Sequence, residues 1–343
     1  MKRLVIAALA IGALAACTKS YVQLEQPGEI SFQPVAQKAT KAAVDGTAYP
    51  TDAAYKFNVW AWWADKSAGT ELGEFTPTTP YIAEGTFVHR ENSSWGGSTP
   101  YYWPTKGSLV FAGYSPASAK VDGTTFGYDL TNQKFSVTNY VQSDDISATK
   151  DLMWFDVTDK SHNNNGTNGV PVVFKHALSW LTFNFVLADE INTHKWEITD
   201  VKLQSVNTKG SFAATKSDAV VNAGTWTLSA EAADKKEMTV YTSTGEQKFI
   251  TTTSTAYENV GNGVVVIPQE CVKLLVKYNL TASTGNVIPQ EVTLDLATGI
   301  ADGTWLSGNH YIYTITFGAN EILIAPTVAD WVDVESEIEI PVQ

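Results

Sequence analysis

Tyr311-Ile312-Tyr313-Thr314-Ile315-Thr316-Phe317 places a large apolar side chain at every second position, with smaller or polar residues between most of them. A period of two is the mark of a strand with one face in a core. Working outward, Leu181-Thr182-Phe183-Asn184-Phe185 repeats the pattern. Leu274, Val276, Tyr278 and Leu280 share one face, opposite Lys273, Lys277 and Asn279. Phe57-Asn58-Val59-Trp60-Ala61-Trp62-Trp63 is apolar on both faces and reads as a strand buried on both sides. Gly, Asn, Pro, Ser and Thr clusters separate these runs, the turn punctuation of an all-β chain. No long helical period competes; a short helix is expected near Lys66 to Gly73.

Ser161-His162-Asn163-Asn164-Asn165-Gly166-Thr167-Asn168-Gly169 contains no apolar residue and reads as an exposed loop or linker. A domain boundary is placed near residue 170, with two β-sandwiches of similar size, 42–170 and 171–343, as the simplest architecture. A second soft stretch runs from Gln37 to Ala54.

Of the 343 residues, 23 are basic and 36 acidic, for a net charge of −13. No cationic surplus exists to displace counterions, so nucleic-acid binding is not expected. Arginine occurs only at Arg3 and Arg90, which leaves few planar forks for phosphate.

The N-terminus reads as an export signal. Lys2 and Arg3 precede an apolar run from Leu4 to Ala16, too short to span a bilayer, which needs roughly 20 residues. Leu14-Ala15-Ala16-Cys17 has the form of a bacterial lipobox, so residues 1–16 are expected to be removed between Ala16 and Cys17 and the Cys17 thiol to carry diacylglycerol. Two or more acyl chains would hold the mature N-terminus on the outer membrane. The alternative is an ordinary signal peptide beside a coincidental cysteine. Cys271 is then the one cysteine left, and its apolar surroundings read as a small buried hydrophobe.

Motifs for chemistry are absent: no GxGxxG, P-loop, HExxH, GxSxG or CxxC, and the five histidines never fall at metal-ligand spacing. No catalytic residue, metal or cofactor is assigned, and the chain is not read as an enzyme. His176 reads as a half-buried strand histidine. Near the C-terminus, Asp333, Glu335, Glu337 and Glu339 alternate with Val332, Val334, Ile338 and Ile340. That is first a solvated strand face, with a calcium site as the lesser reading. Trp60, Trp62, Trp63, Trp95 and Trp103 concentrate in the first half. Flat rings stack on sugars, so a glycan-binding surface lipoprotein is the alternative function, although core packing accounts for a strand-borne run of tryptophans.

In order along the mature chain, several segments resemble the fimbrillin family of Bacteroidales-type bacteria, the FimA-type and Mfa-like pilins of type V pili. These are Tyr55-Lys56-Phe57-Asn58-Val59-Trp60-Ala61-Trp62, Tyr102-Trp103-Pro104 with Leu109-Val110-Phe111-Ala112-Gly113-Tyr114-Ser115-Pro116, and Phe174-Lys175-His176-Ala177-Leu178-Ser179-Trp180-Leu181-Thr182-Phe183. Val266-Ile267-Pro268-Gln269, Trp305-Leu306-Ser307-Gly308-Asn309-His310-Tyr311-Ile312-Tyr313 and Val328-Ala329-Asp330-Trp331 follow, and ahead of them all stand the lipobox ending at Cys17 and a weak strand, Gly28-Glu29-Ile30-Ser31-Phe32, before Lys38-Ala39-Thr40-Lys41-Ala42.

The resemblance implies two tandem transthyretin-like β-sandwiches and a structural, adhesive role in a surface pilus. It also implies partners: other pilus subunits and a host or bacterial surface receptor. A protease would cut after a basic residue and release an N-terminal strand, and another subunit's C-terminal strand would fill the groove. Carried onto this chain, segment 17–41 holds the removable strand, with Ile30 and Phe32 as its inward residues. Lys41, or else Lys38, is the processing site, and Val332, Val334, Ile338, Ile340 and Val342 form the donor. Family sites often carry arginine, and none lies between Arg3 and Arg90. An uncleaved chain would be an anchor held by Cys17, so shaft and anchor both stay open. An ordinary last strand is the other reading of the tail.

Overall fold

The computed structural model describes residues 28–36, 49–65, 79–90, 94–160, 169–188, 195–215, 224–244, 249–250, 257–258, 260–282, 284–318 and 322–330. The strands of the first half are β1 (Ser31–Ala36), β2 (Phe57–Ala64), β3 (Ile82–His89), β4 (Trp95–Gly97), β5 (Ser108–Ser115), β6 (Thr125–Asp129), β7 (Lys134–Val141), β8 (Met153–Lys160) and β9 (Val170–His176). They continue with β10 (Ser179–Leu187), β11 (Lys195–Asn207), β12 (Lys209–Thr215), β13 (Thr225–Leu228), β14 (Lys235–Thr242) and β15 (Phe249–Ile250). The last are β16 (Val264–Val266), β17 (Lys273–Thr281), β18 (Val287–Asp295), β19 (Asn309–Phe317) and β20 (Ile322–Asp330). Regular helix among the described residues is limited to single 3-10 turns, so the all-β expectation holds.

Seven strands close a barrel in the order β1-β4-β3-β2-β5-β8-β9. Its interior is aromatic: Phe32, Phe57, Phe87, Phe111, Phe155, Phe174, Trp95 and Trp103 are all buried there. Strand alternation splits β2 between two cores. Phe57, Val59 and Ala61 enter the barrel, whereas Trp60, Trp62 and Ala64 face outward into a second core. This is the doubly buried strand read from the sequence. The second core lies under the sheet β13-β12-β7-β6, whose Phe126, Phe135, Val137 and Phe212 cover Trp62, Tyr114 and Trp154. That sheet takes β6 and β7 from before residue 170 and β12 and β13 from after it, through the antiparallel β7–β12 ladder.

A third core fills a sandwich between the sheet β16-β10-β19-β20 and the sheet β14-β11-β17-β18, on which β15 also pairs. Tyr311, Tyr313, Ile315 and Phe317 on β19 all point into it. β20 is the edge strand of its sheet, antiparallel to β19 from Ile322↔Phe317 to Asp330↔Asn309. The short helix expected near Lys66 to Gly73 lies outside the described residues.

Candidate functional site

Glu29-Ile30-Ser31-Phe32 alternates polar and apolar residues, and the fold puts the apolar ones into the barrel. β1 closes the barrel as a stave between two neighbours. It runs parallel to β9 from Phe32↔Val170 to Ala36↔Phe174 and antiparallel to β4 through Ser31↔Gly96 and Phe32↔Trp95. Upstream, Ile30 N–H donates to Tyr101 O at 2.7 Å and Trp103 N–H donates to Gly28 O at 3.0 Å.

Ile30 is 0% exposed and Phe32 1%. The Phe32 ring meets Phe57, Phe87 and Phe111 edge-on at 5.7, 4.8 and 5.3 Å. Edge-to-face contacts set the positive ring edge against a negative face, each adding about 0.5–1.5 kcal/mol beyond burial. Beyond Phe32 the strand is less deeply held: Gln33 is exposed, and Pro34 and Val35 are half-buried. The chain is described again at Tyr49, which is buried, stacks on Phe174 at 4.8 Å, donates to Tyr55 O at 2.8 Å and meets the Ser115 hydroxyl. Burial pushes the Tyr49 hydroxyl pKa far above its ordinary value.

Outside the barrel, Glu29 is gripped by Arg90. Nη1 donates to Oε2 at 2.8 Å and Nη2 to Oε1 at 2.6 Å, and Nη2 also donates to Gly97 O at 2.9 Å. A planar guanidinium matches a carboxylate in this two-pronged way, which a lysine cannot reproduce. Hydrogen bonding to Glu29 raises the Arg90 pKa further. Gly96 makes the approach possible, because a Cβ there would collide with the guanidinium carbon. Sequence reasoning missed Arg90, Glu29, Gly96 and Tyr49. The available signal was that Arg90 is the one arginine beyond the N-terminal segment.

The remaining candidates divide clearly. Ile30 and Phe32 sit together in the seat of β1. Ala16, Cys17, Lys38, Lys41, Val332, Val334, Ile338, Ile340 and Val342 lie outside the described residues. Trp95 and Trp103 are 4% and 2% exposed, core residues with no face for a sugar. Accessible aromatic surface is found instead at a groove of about 450 Å³ lined by Trp63, Pro80, Tyr81 and Pro104.

His176 is more deeply buried than its strand position suggested. Its Nδ1 lies 2.6 Å from Asp151 Oδ2, with neither side chain exposed. Cys271 is half-buried against the sandwich core, and burial pushes its thiol up to about 11, away from nucleophilic use at neutral pH. Among the described residues no group of three or more His, Cys, Asp or Glu is placed to hold a metal ion, and no helix is long and apolar enough to cross a membrane.

A fimbrillin-like family model matches residues 40–331. No curated protein matches the chain. Among solved structures, the chain is similar to a candidate cell adhesion protein of Bacteroides uniformis ATCC 8492, with 16% identity over 89% of this chain and 100% of that one, at a TM-score of 0.49. A fimbrial protein of Bacteroides vulgatus ATCC 8482 follows at 14% identity, 88% and 99% coverage and a TM-score of 0.49. The tip fimbrial protein Mfa3 of Porphyromonas gingivalis gives 11%, 89% and 99%, and 0.35.

Proposed function

Because the chain belongs to the fimbrillin-like family, a family of structural pilus proteins rather than enzymes, we propose that this cell-surface pilus subunit assembles by strand replacement at the seat of β1. The precursor is exported as a lipoprotein and anchored to the outer membrane through Cys17. Cleavage after Lys41, or after Lys38, separates β1 from the rest of the chain. β1 then leaves, and the C-terminal segment of another subunit takes its place with Val332, Val334, Ile338, Ile340 and Val342 as inward residues. The polymer serves adhesion, with other pilus subunits as partners and a surface receptor at its target.

The observation that carries this reading is that Phe32 sits at the centre of an aromatic core while belonging to a strand that a cut after Lys38 or Lys41 would leave held by pairing and packing. The nearest lysines, Lys38 and Lys41, lie just beyond its last residue, Ala36. An emptied seat would expose Phe57, Phe87 and Phe111, which strongly favours an apolar replacement. Four or five inserted side chains at about 1.5–3 kcal/mol each give about 6–15 kcal/mol gross. Backbone hydrogen bonds add about 1 kcal/mol each, and ordering a free tail offsets a large part.

Mass spectrometry of protein sheared from cells tests the processing. A chain beginning at Ala42 is expected for a polymer subunit, and a lipidated Cys17 on every sheared chain would contradict cleavage. Mixing cleaved with intact protein tests the exchange: SDS-resistant ladders are expected, and their absence would refute it.

A further inference from the structure

We propose that Arg90 grips Glu337 of an incoming C-terminal segment from a second copy as it grips Glu29 of β1. The inference rests on the strand-replacement reading above and names the charged pair that meets at the seat.

Glu29-Ile30-Ser31-Phe32 and Glu337-Ile338-Glu339-Ile340 share the order acid, isoleucine, spacer, large apolar residue. In β1 the two apolar residues enter the barrel, and Glu29 meets Arg90 outside it. A tail laid in the same direction with Ile338 in the place of Ile30 and Ile340 in that of Phe32 brings Glu337 to the guanidinium.

Neighbouring registers are worse. Moving the tail so that Glu335 meets Arg90 puts Ser336 in the wholly buried place of Ile30, which buries an unpartnered hydroxyl. Moving it so that Glu339 meets Arg90 leaves only Ile340 and Val342 facing inward and sets Pro341 opposite Gly96, in the place of Ser31. The chosen register fills both wholly buried places, those of Ile30 and Phe32, with isoleucine. It puts Pro341 in the exposed place of Gln33, where loss of side-chain burial costs nothing.

Charge favours the same partner. The seat is marked by an arginine in a chain of net charge −13, and the tail supplies four acids within seven residues, Asp333 to Glu339. A strand slipped by one residue would send its apolar set to the wrong face. Because acids recur at every second residue from Asp333 to Glu339, a slip of two still offers the fork a carboxylate, and the wholly buried places of Ile30 and Phe32 decide between those registers.

The test uses full-length chain treated with a lysine-specific protease, with ladder formation in SDS gels as the readout. Glu337→Arg, Glu339→Arg and Glu335→Arg change net charge equally and leave the Arg90–Glu29 pair of the precursor intact. Glu337→Arg is expected to lower the ladder yield or rate about tenfold, a change of about 1.4 kcal/mol, with the other two within about twofold of wild type. Glu337→Arg combined with Arg90→Glu and Glu29→Arg, which reverses the whole clamp, is expected to recover ladders. Normal wild-type ladders with equal effects of all three tail changes would overturn the clamp while strand replacement stands. A stronger effect of Glu339→Arg would overturn the assigned register. Absence of wild-type ladders would refute strand replacement itself, and a capped monomer in their place would seat the chain's own tail and overturn the role of a second copy.

Discussion

Replacing Phe32 by alanine in the uncleaved chain removes a ring that is 1% exposed and lies edge-on to Phe57, Phe87 and Phe111. Truncating a fully buried phenylalanine costs about 3–5 kcal/mol, because lost transfer free energy is joined by an unfilled cavity. Three ring contacts of about 0.5–1.5 kcal/mol each are lost at once, which places this site in the upper half of that range. Gln33→Ala, one residue on and exposed, is the control and is expected to stay within about 0.5 kcal/mol. Urea unfolding followed by tryptophan fluorescence reads the difference, since Trp95 and Trp103 are buried in the same barrel. After cleavage the same free energy becomes a weaker hold on β1, by about a hundredfold or more. If Phe32→Ala unfolds with the midpoint and slope of Gln33→Ala, Phe32 does not anchor β1 and the strand-replacement reading loses its footing.

Trp103→Ala is expected to destabilise by about 3–5 kcal/mol, because its 2% exposed ring fills the barrel; a glycan-binding defect in a normally stable variant would contradict that placement. His310 lies half-buried against Trp180, with ring centroids 3.4 Å apart, and burial lowers its pKa from 6.5 to about 4. Its neutral form is favoured in the folded state. The group therefore leaves stability unchanged above about pH 6.5, reduces it as pH falls from 6.5 towards 4, and changes it no further below that. His310→Gln should flatten this part of the pH profile of urea midpoints, and an unchanged slope would refute the assignment. With the Cys271 thiol raised from 9.0 to about 11, native protein should alkylate about a hundredfold more slowly than urea-unfolded protein at the same pH; equal rates would show that the thiol is not held in that environment.

Alternation made much of the fold legible. Tyr311 to Phe317 forms most of β19, Leu181 to Phe185 lies within β10, and the faces assigned from Leu274 to Leu280 hold for Leu274, Val276 and Tyr278 on β17. Phe57 to Trp63 was readable as doubly buried because both of its faces are apolar. β18 was not readable. Val287 to Glu291 is exposed, and the strand is held by backbone pairing to β17, which leaves no side-chain pattern. Tyr49 was hidden in a stretch rich in Ala and Thr, where one aromatic residue carries no period. The Arg90–Glu29 grip joins positions 61 apart, beyond the reach of any local rule. Tryptophan-rich composition was ambiguous for a related reason, since it counts rings without saying which side of a strand they occupy. Trp95 and Trp103 belong to the barrel interior, whereas Trp63 lines an accessible groove.

The ladder between β7 and β12 has a mechanical meaning. A subunit pulled lengthwise in a fibre must carry tension from one half of its chain to the other. A lone linker between two separate bodies would stretch first and let them swing apart. Here the β12–β13 hairpin from the second half is stitched onto β7 of the first, with Trp62, Tyr114 and Trp154 packed beneath the seam. Separating the halves requires tearing a sheet and wetting a core together, so under load the two halves resist as one unit.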